Sequence, residues 1–262
     1  MPTLGYIDMP TISTIIITKN EEQNIAACIE SVLWTDEIIV LDSGSTDKTL
    51  DICKKYAPKV KTYAADWPGF GKQKNRALEL ATSTWVLSID ADERATPELK
   101  QEILRKLNDT NCVAYNIPRL NYFLGRPIKY CFGNNNDAPI RLIKKDCGKF
   151  TDDIIHERLI ANGPTSKLQN KLQHFSFSSI EELINKINNY STLGAIKLYE
   201  TQKKTSYTKA FAHASWIFIK IYFLKRGFLD GWPGFIIAFS NFEGVFYRYT
   251  KLLEKSSAKA DR

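Results

Sequence analysis

The sequence has no Gly-x-Gly-x-x-Gly after its first β-rich run and no Gly-x-x-x-x-Gly-Lys-Ser/Thr anywhere, which argues against a dinucleotide dehydrogenase and a P-loop enzyme. Its five cysteines, Cys28, Cys53, Cys112, Cys131 and Cys147, are widely spaced and free of Cys-x-x-Cys or Cys/His zinc spacing. They read as free thiols in a reducing compartment. No basic stretch followed by an apolar run opens the chain, so no secretory signal is read and a cytosolic setting is expected. In the aromatic tail the longest uncharged runs are Ala210 to Ile219 and Gly231 to Phe242, 10 and 12 residues. Both are shorter than the ~18 apolar residues that cross a bilayer.

What is present is an ordinary globular composition, with 44% hydrophobic and 25% charged residues in 262. That length suits one large domain or a domain with an appendage. The charge is uneven. From Lys197 onward, 12 Lys and Arg face 5 Asp and Glu, giving +7, the net charge of the whole chain. The first 196 residues are therefore neutral overall.

Strand and helix patterns alternate through the first 90 residues. Ile12 to Thr18, Glu37 to Leu41 and Val60 to Ala64 read as strands, followed by a fourth strand that begins at Trp85. Between them, helical spacing is read around Ile25 to Leu33, over Lys48 to Tyr56 and over Lys72 to Ala81. This alternation signals βαβ units, hence an α/β fold with a parallel sheet and right-handed crossovers. Polar clusters close three of the strands: Thr18 to Glu21, Asp42 to Asp47, and Asp90 to Glu93. Parallel strands that end at one edge make one crevice, so the clusters are candidates for one site.

The run Trp85-Val86-Leu87-Ser88-Ile89-Asp90-Ala91-Asp92-Glu93 is the sharpest of these. If the extended geometry persists, Asp90 and Asp92 point the same way and a divalent cation sits against one or both. The same residues also suit a strand that runs into a turn and a helix start. Taken alone, the run fits both readings.

The clusters Thr18-Lys19-Asn20-Glu21, Asp42-Ser43-Gly44-Ser45-Thr46-Asp47, Gly71-Lys72-Gln73-Lys74-Asn75 and Asp90-Ala91-Asp92 occur in this order. Together they resemble the inverting nucleotide-sugar glycosyltransferases of the GT-A fold, glycosyltransferase family 2, and within it the branch that adds a β-1,4-linked glucose to the lipopolysaccharide inner core. The likeness runs from about Ser13 into the C-terminal region. It implies a Rossmann-like, mostly parallel sheet flanked by helices, with a catalytic domain over 1–178. Its nucleotide-sugar half would span about 1–95 and its acceptor half about 96–178, ahead of a helical basic-aromatic region over 179–262.

The resemblance implies that Thr18, Glu21 and Asp42 cradle the nucleoside, and a carboxylate suits the uracil N3-H or ribose hydroxyls. Asp47 is expected to cap its helix instead. Lys72, Asn75 and Arg141 would face the diphosphate, with Lys72 preferred over Lys74 and Arg76. Asp90 and Asp92 match the family's Asp-x-Asp motif, which assigns Asp90 to the ribose and Asp92 to Mg²⁺ or Mn²⁺. Glu93 either supports this pair or caps the helix beginning near Pro97. In Pro139-Ile140-Arg141-Leu142-Ile143, Ile143 replaces the family's usual aromatic residue, and Asn134-Asn135-Asn136 replaces bulkier ones, departures that bear on the acceptor.

An inverting transfer needs a base for the acceptor hydroxyl. In Asp152-Asp153-Ile154-Ile155-His156-Glu157 the resemblance points to Glu157, with Asp153 as runner-up and His156 as a metal or phosphate contact. Val113 to Pro118 reads as a strand, and Arg119 to Asn136 as an irregular polar and aromatic segment suited to an acceptor sugar or to an ordinary surface loop.

Ser179 to Lys204 reads as an amphipathic helix, capped by Ser178-Ser179 with Glu181 and Glu182. Between Tyr207 and Tyr249 lie 14 of the chain's 31 aromatic residues, interleaved with Lys and Arg. This region either packs as helices or lies against anionic lipid, and it has no nucleic-acid-binding motif. The expected function is metal-dependent transfer of a hexose, glucose from UDP-glucose, to a lipid-linked core oligosaccharide at the cytoplasmic face of the inner membrane. A transferase for another surface glycan or a polyprenyl-phosphate acceptor is the nearest alternative. From a different class, the alternative is a non-catalytic, membrane-docked nucleotide-sugar binder.

Overall fold

Isoleucine and threonine crowd Ile12–Thr18, and branched side chains of this kind favour the extended backbone found there (β1). The computed structural model describes residues 10–132, 138–152 and 157–257. After β1 come α1 (Ile25–Val32), β2 (Glu37–Asp42), α2 (Thr49–Lys54), β3 (Val60–Ala64), α3 (Phe70–Leu80) and β4 (Trp85–Asp90). Next are β5 (Glu93–Ala95), α4 (Pro97–Lys106), β6 (Ala114–Asn116), β7 (Arg119–Phe123) and β8 (Arg126–Ile128). β9 (Ile140–Lys144), β10 (Gly148–Phe150), β11 (Leu159–Ala161), β12 (Thr165–Lys167) and β13 (Leu172–Phe177) follow.

The chain divides into two units, the first comprising Met1–Arg119 and Asn135–His174. Among its described residues is a seven-stranded sheet in the order β12-β6-β9-β4-β1-β2-β3. β1 pairs in parallel with β2 and β4, and β2 with β3, whereas β9 runs antiparallel to β4 and β6. This is the mostly parallel sheet that the family resemblance implies, and β9 departs from the wholly parallel pairing expected from the alternating pattern.

Strand alternation sorts the core onto two faces. Ile12, Ile16, Ile38, Val40, Trp85, Leu87 and Ile89 pack with α1 and α4 residues on one side. Ile15, Ile39, Leu41 and Val86 meet Ala77 of α3 and Ala81, the residue just after it, on the other. By the same parity Asp90 in β4 and Arg141 in β9 belong to the α3 side. The register places Thr18 beside Asp42 and Ile17 beside Asp90, so the parallel strands end together.

At the other end of these strands, Glu37 ties β1, β2 and the α3–β4 connection into one buried network. Its Oε1 accepts from Ser13 Oγ (2.6 Å), Thr82 N (2.6 Å) and Thr82 Oγ1 (2.7 Å), and its Oε2 from Lys61 Nζ (3.0 Å). Burial alone would push this carboxyl up, but the hydrogen bonds from Ser13, Thr82 and Lys61 bring it down from 4.5 to about 2. A depressed folded-state value stabilises the protein above the unfolded value and loses that contribution as pH falls from about 4.5 toward 2. Glu37→Gln is therefore expected to lower stability at neutral pH by about 1 to 2 kcal/mol, the shift discounted for the solvent that reaches Lys61. Urea unfolding should show the gap from wild type closing at pH 2 to 3. A gap that is constant across this range would contradict the assignment.

The second unit comprises Leu120–Asn134 and Phe175–Arg262. The segment expected to be irregular instead forms an antiparallel hairpin, pairing Asn121 with Ile128 and Phe123 with Arg126. Its turn lies at Leu124 (φ 48°) and Gly125 (φ 75°), left-handed positions that a periodicity search does not detect. Three helices follow, α5 (Ile180–Glu200), α6 (Tyr207–Ile219) and α7 (Trp232–Ser257). α5 begins as expected, with Ser179 Oγ accepting from Glu182 N (3.0 Å) and the Glu182 carboxylate accepting from Ser178 N (2.9 Å). Its inward stripe is Leu183, Ser191 and Ala195, whereas Ile184 and Tyr190 are exposed. A π-helical turn at Lys220–Leu224 and a 3-10 turn at Gly227–Asp230 join α6 to α7. Among the described residues no helix is long and apolar enough to cross a membrane.

Candidate active site

Three carboxyl- or hydroxyl-bearing strand ends meet at the C-terminal edge of the parallel strands, the edge at which open α/β sheets bind ligands. Thr18 closes β1, and its Oγ1 is buried without a hydrogen-bond partner. Such a hydroxyl is costly to leave unpaired, and at this edge it is available to a polar group of a ligand. Asp42 closes β2. Its Oδ2 accepts from Gly44 N (2.9 Å) and Ser45 N (2.9 Å), and its Oδ1 from Ser45 Oγ (2.5 Å). This turn shapes the loop after β2 and leaves Asp42 buried.

The loops after β1 and β2 interlock. Asn20, left-handed at φ 56°, donates its N-H to Ser45 Oγ (2.8 Å), and its Oδ1 accepts from Thr46 N (2.8 Å). Glu21 N donates to Thr49 Oγ1 (2.8 Å), while Glu21 Oε2 accepts from Asn24 Nδ2 (3.0 Å). Asp47 accepts from Thr49 N (3.0 Å) at the start of α2 and from Glu22 N (3.1 Å), the capping role expected of it. These bonds hold the two loops against each other at the ends of β1 and β2.

Beyond Asp90 the strand does not continue. Asp90 N donates to Glu93 Oε2 (2.9 Å), closing a turn through Ala91 and Asp92. The extended geometry that would align Asp90 with Asp92 is therefore absent, and the two acids enter different networks.

Asp90 receives Arg141 Nη2 at 2.5 Å and Lys74 Nζ at 2.8 Å. Burial would raise its pKa, but the Arg141 and Lys74 charges hold it well below the usual carboxylate range. The same Lys74 ammonium lies 2.9 Å from Glu157 Oε1 and 5.6 Å from the centre of the Phe150 ring. One buried cation thus links the carboxylate at the end of β4 to the carboxylate expected to act as base. Glu93, fully buried, pairs with Arg141 at 2.7 Å and Arg119 at 3.4 Å. It supports Arg141 from behind, and the cap of α4 is Thr96, whose Oγ1 accepts from Leu99 N (3.2 Å).

Asp92 lies 3.3 Å from His174 Nε2, with both side chains partly exposed at 21% and 18%. β13 pairs with β5 and sets His174 opposite Glu93. His174, one of three histidines in the chain, carries no local pattern that marks its place beside Asp92. Among the described residues no group of three or more His, Cys, Asp or Glu is placed to hold a metal. A carboxylate oxygen and an imidazole nitrogen this close still fit a divalent cation whose coordination is completed by donor phosphates.

The remaining expected residues divide. Asn75 Nδ2 donates to Phe150 O (3.0 Å) and its Oδ1 accepts from Phe150 N (2.8 Å), so its amide is engaged in joining α3 to β10. Lys72 is solvent-exposed, whereas Lys74 occupies the cluster. α3 approaches closely because Gly71 lacks a side chain: a Cβ there would collide with the Thr151 carbonyl. Asp153 and His156 lie outside the described residues. Arg141 Nε is buried without a hydrogen-bond partner beside Asp90, a second orphaned polar group at this edge.

A sequence profile for the family described as Glycosyl transferase family 2 matches residues 13–160. An uncharacterized glycosyltransferase from Rickettsia typhi is 37% identical over 95% of this chain and 88% of its own length. The lipopolysaccharide core biosynthesis glycosyltransferase LpsC from Rhizobium meliloti is 30% identical over 95% of this chain and 94% of its own. The crystal structure of S. aureus TarS 1–349 in complex with UDP-GlcNAc overlaps 92% of this chain and 83% of that one, at 18% identity and a TM-score of 0.47.

Proposed function

This chain belongs to glycosyltransferase family 2 and is a glycosyltransferase, and we propose that it inverts configuration while moving glucose from UDP-glucose to a lipid-linked lipopolysaccharide core acceptor. The observation that carries the reading is the meeting of Asp90, Arg141, Lys74 and Glu157 at the ligand-binding edge of the sheet. End-to-end likeness to LpsC supports the core acceptor.

In this proposal Thr18, Glu21 and Asp42 receive the nucleoside, and Arg141 and Lys74 face the negative charge that develops on the leaving diphosphate. Asp92 and His174 would hold Mg²⁺ or Mn²⁺, which supplies Lewis-acid neutralisation of that diphosphate. Glu157 takes the proton from the acceptor hydroxyl as its oxygen bonds the anomeric carbon. The bond from that carbon to the diphosphate oxygen breaks on the opposite face and UDP departs. Lys74 orients the Glu157 carboxylate while its other contact stays on Asp90.

UDP release by the purified protein is expected to require both UDP-glucose and a core oligosaccharide. Release at the same rate with a polyprenyl phosphate in place of the oligosaccharide would redirect the acceptor assignment.

A further inference from the structure

α6, the π-helical turn, the 3-10 turn and α7 carry rings that touch one another in series. Phe211 contacts Phe242 with centroids 5.8 Å apart, and Phe242, Phe239 and Phe235 stack along α7 at 6.0 and 6.1 Å. Phe235 meets Phe218 at 5.9 Å and Tyr222 at 5.8 Å, and Tyr222 meets Phe223 and Phe228 at 5.1 and 6.3 Å. A buried core would enclose such a network. Here Phe211 is 59% exposed, Phe223 54%, Phe235 48% and Phe228 46%. A contiguous exposed aromatic surface of this kind marks a binding face.

Its charge selects the occupant. Between Tyr207 and Phe242 the ionised side chains are Lys209, Lys220, Lys225 and Arg226 against a single acid, Asp230. The four cations are exposed. Asp230 turns away from that role, because its carboxylate accepts the backbone N-H groups of Lys129 (2.9 Å), Tyr130 (3.0 Å) and Cys131 (2.9 Å). The face is therefore apolar, aromatic and cationic, with its one carboxylate hydrogen-bonded to backbone N-H groups. No described helix is long and apolar enough to cross a bilayer. Rings at headgroup depth flanked by Lys and Arg suit an interfacial position on anionic lipid.

We infer that this face docks the protein onto an anionic membrane surface in the interfacial plane. The inference rests on the proposed lipid-linked acceptor only for its purpose, since docking is measured without turnover.

The test uses the full chain with vesicles of phosphatidylcholine alone or mixed with phosphatidylglycerol. Wild type is expected to sediment with the mixed vesicles and to be released by salt. Lys209→Gln and Lys220→Gln should each weaken binding about fivefold, as expected for one basic residue at an anionic surface. Phe211→Gln with Phe223→Gln should weaken it at least tenfold while the thermal melt stays unchanged, because both rings are exposed. Equal binding by wild type and variants, or no binding by wild type, overturns the inference. So does a wild-type dimer in light scattering that becomes monomeric in the phenylalanine variant without any vesicle binding, since a second copy would then occupy the face. Vesicle binding by a protein that transfers nothing to a core acceptor would sustain the docking and refute the proposed function.

Discussion

Asp92→Ala is expected to remove transfer activity by about 10³-fold, the equivalent of roughly 4 kcal/mol of transition-state stabilisation. Asp92 sits in a turn with a partly exposed side chain and pairs with His174 at 3.3 Å. Its removal opens no core cavity, so the melting temperature should change little. His174→Ala is expected to impair the same step, and the double variant should be little worse than either single one, since two groups proposed to hold one cation would not act additively. Steady-state turnover across a Mn²⁺ titration measures all three. Normal metal-dependent activity in Asp92→Ala would remove Asp92 from the site.

The second large effect concerns Glu157. A general base typically contributes about 10²- to 10⁴-fold, so Glu157→Gln should lower kcat within that range. Glutamine retains the shape and keeps an oxygen for Lys74, which lies 2.9 Å from the native carboxylate. Donor binding, measured by calorimetry with UDP, should stay within threefold of wild type, about 0.7 kcal/mol or less. Loss of binding in parallel with kcat would make Glu157 a donor-site residue. Full activity would move the base to Asp153, the other acid proposed from the sequence.

Much of the first unit was legible because it obeys local rules. β1 and β3 fall on the residues expected, and β2 extends one residue further, to Asp42. β1, β2 and β4 are buried along nearly their whole length and end in polar clusters, so their limits and their shared edge can be read from sequence. The choice between Lys72 and Lys74 was also encoded, in helix phase. Gly71, Ala77 and Ala81 are buried, which puts position 74 on the inward face and 72 outside. Lysine at an inward position is read as an error unless its partners are known, and Asp90 and Glu157 are 16 and 83 residues away.

Other features depend on contacts that no local pattern contains. Asp92 separates from Asp90 because a single bond from Asp90 N to Glu93 turns the chain. His174 reaches Asp92 through the pairing of β13 with β5. Asp230 holds the backbone of Lys129 about a hundred residues earlier, so the segment after β8 looked irregular in isolation. Asn75 was expected at the diphosphate, yet its amide is engaged by both polar groups of the Phe150 backbone. An asparagine after a glycine-lysine stretch gives no indication of which partner it has.

The central claim is that the ion-paired edge built by Asp90, Lys74, Arg141 and Glu157 transfers a hexose from a nucleotide donor to a core oligosaccharide. Mass spectrometry of a defined lipopolysaccharide core acceptor, incubated with UDP-glucose and the purified protein, tests it most directly. The account predicts an acceptor heavier by one hexose, formed by wild type and missing with Asp92→Ala and Glu157→Gln. An unmodified acceptor under conditions in which the protein binds UDP-glucose, repeated across a broad acceptor panel, would contradict it.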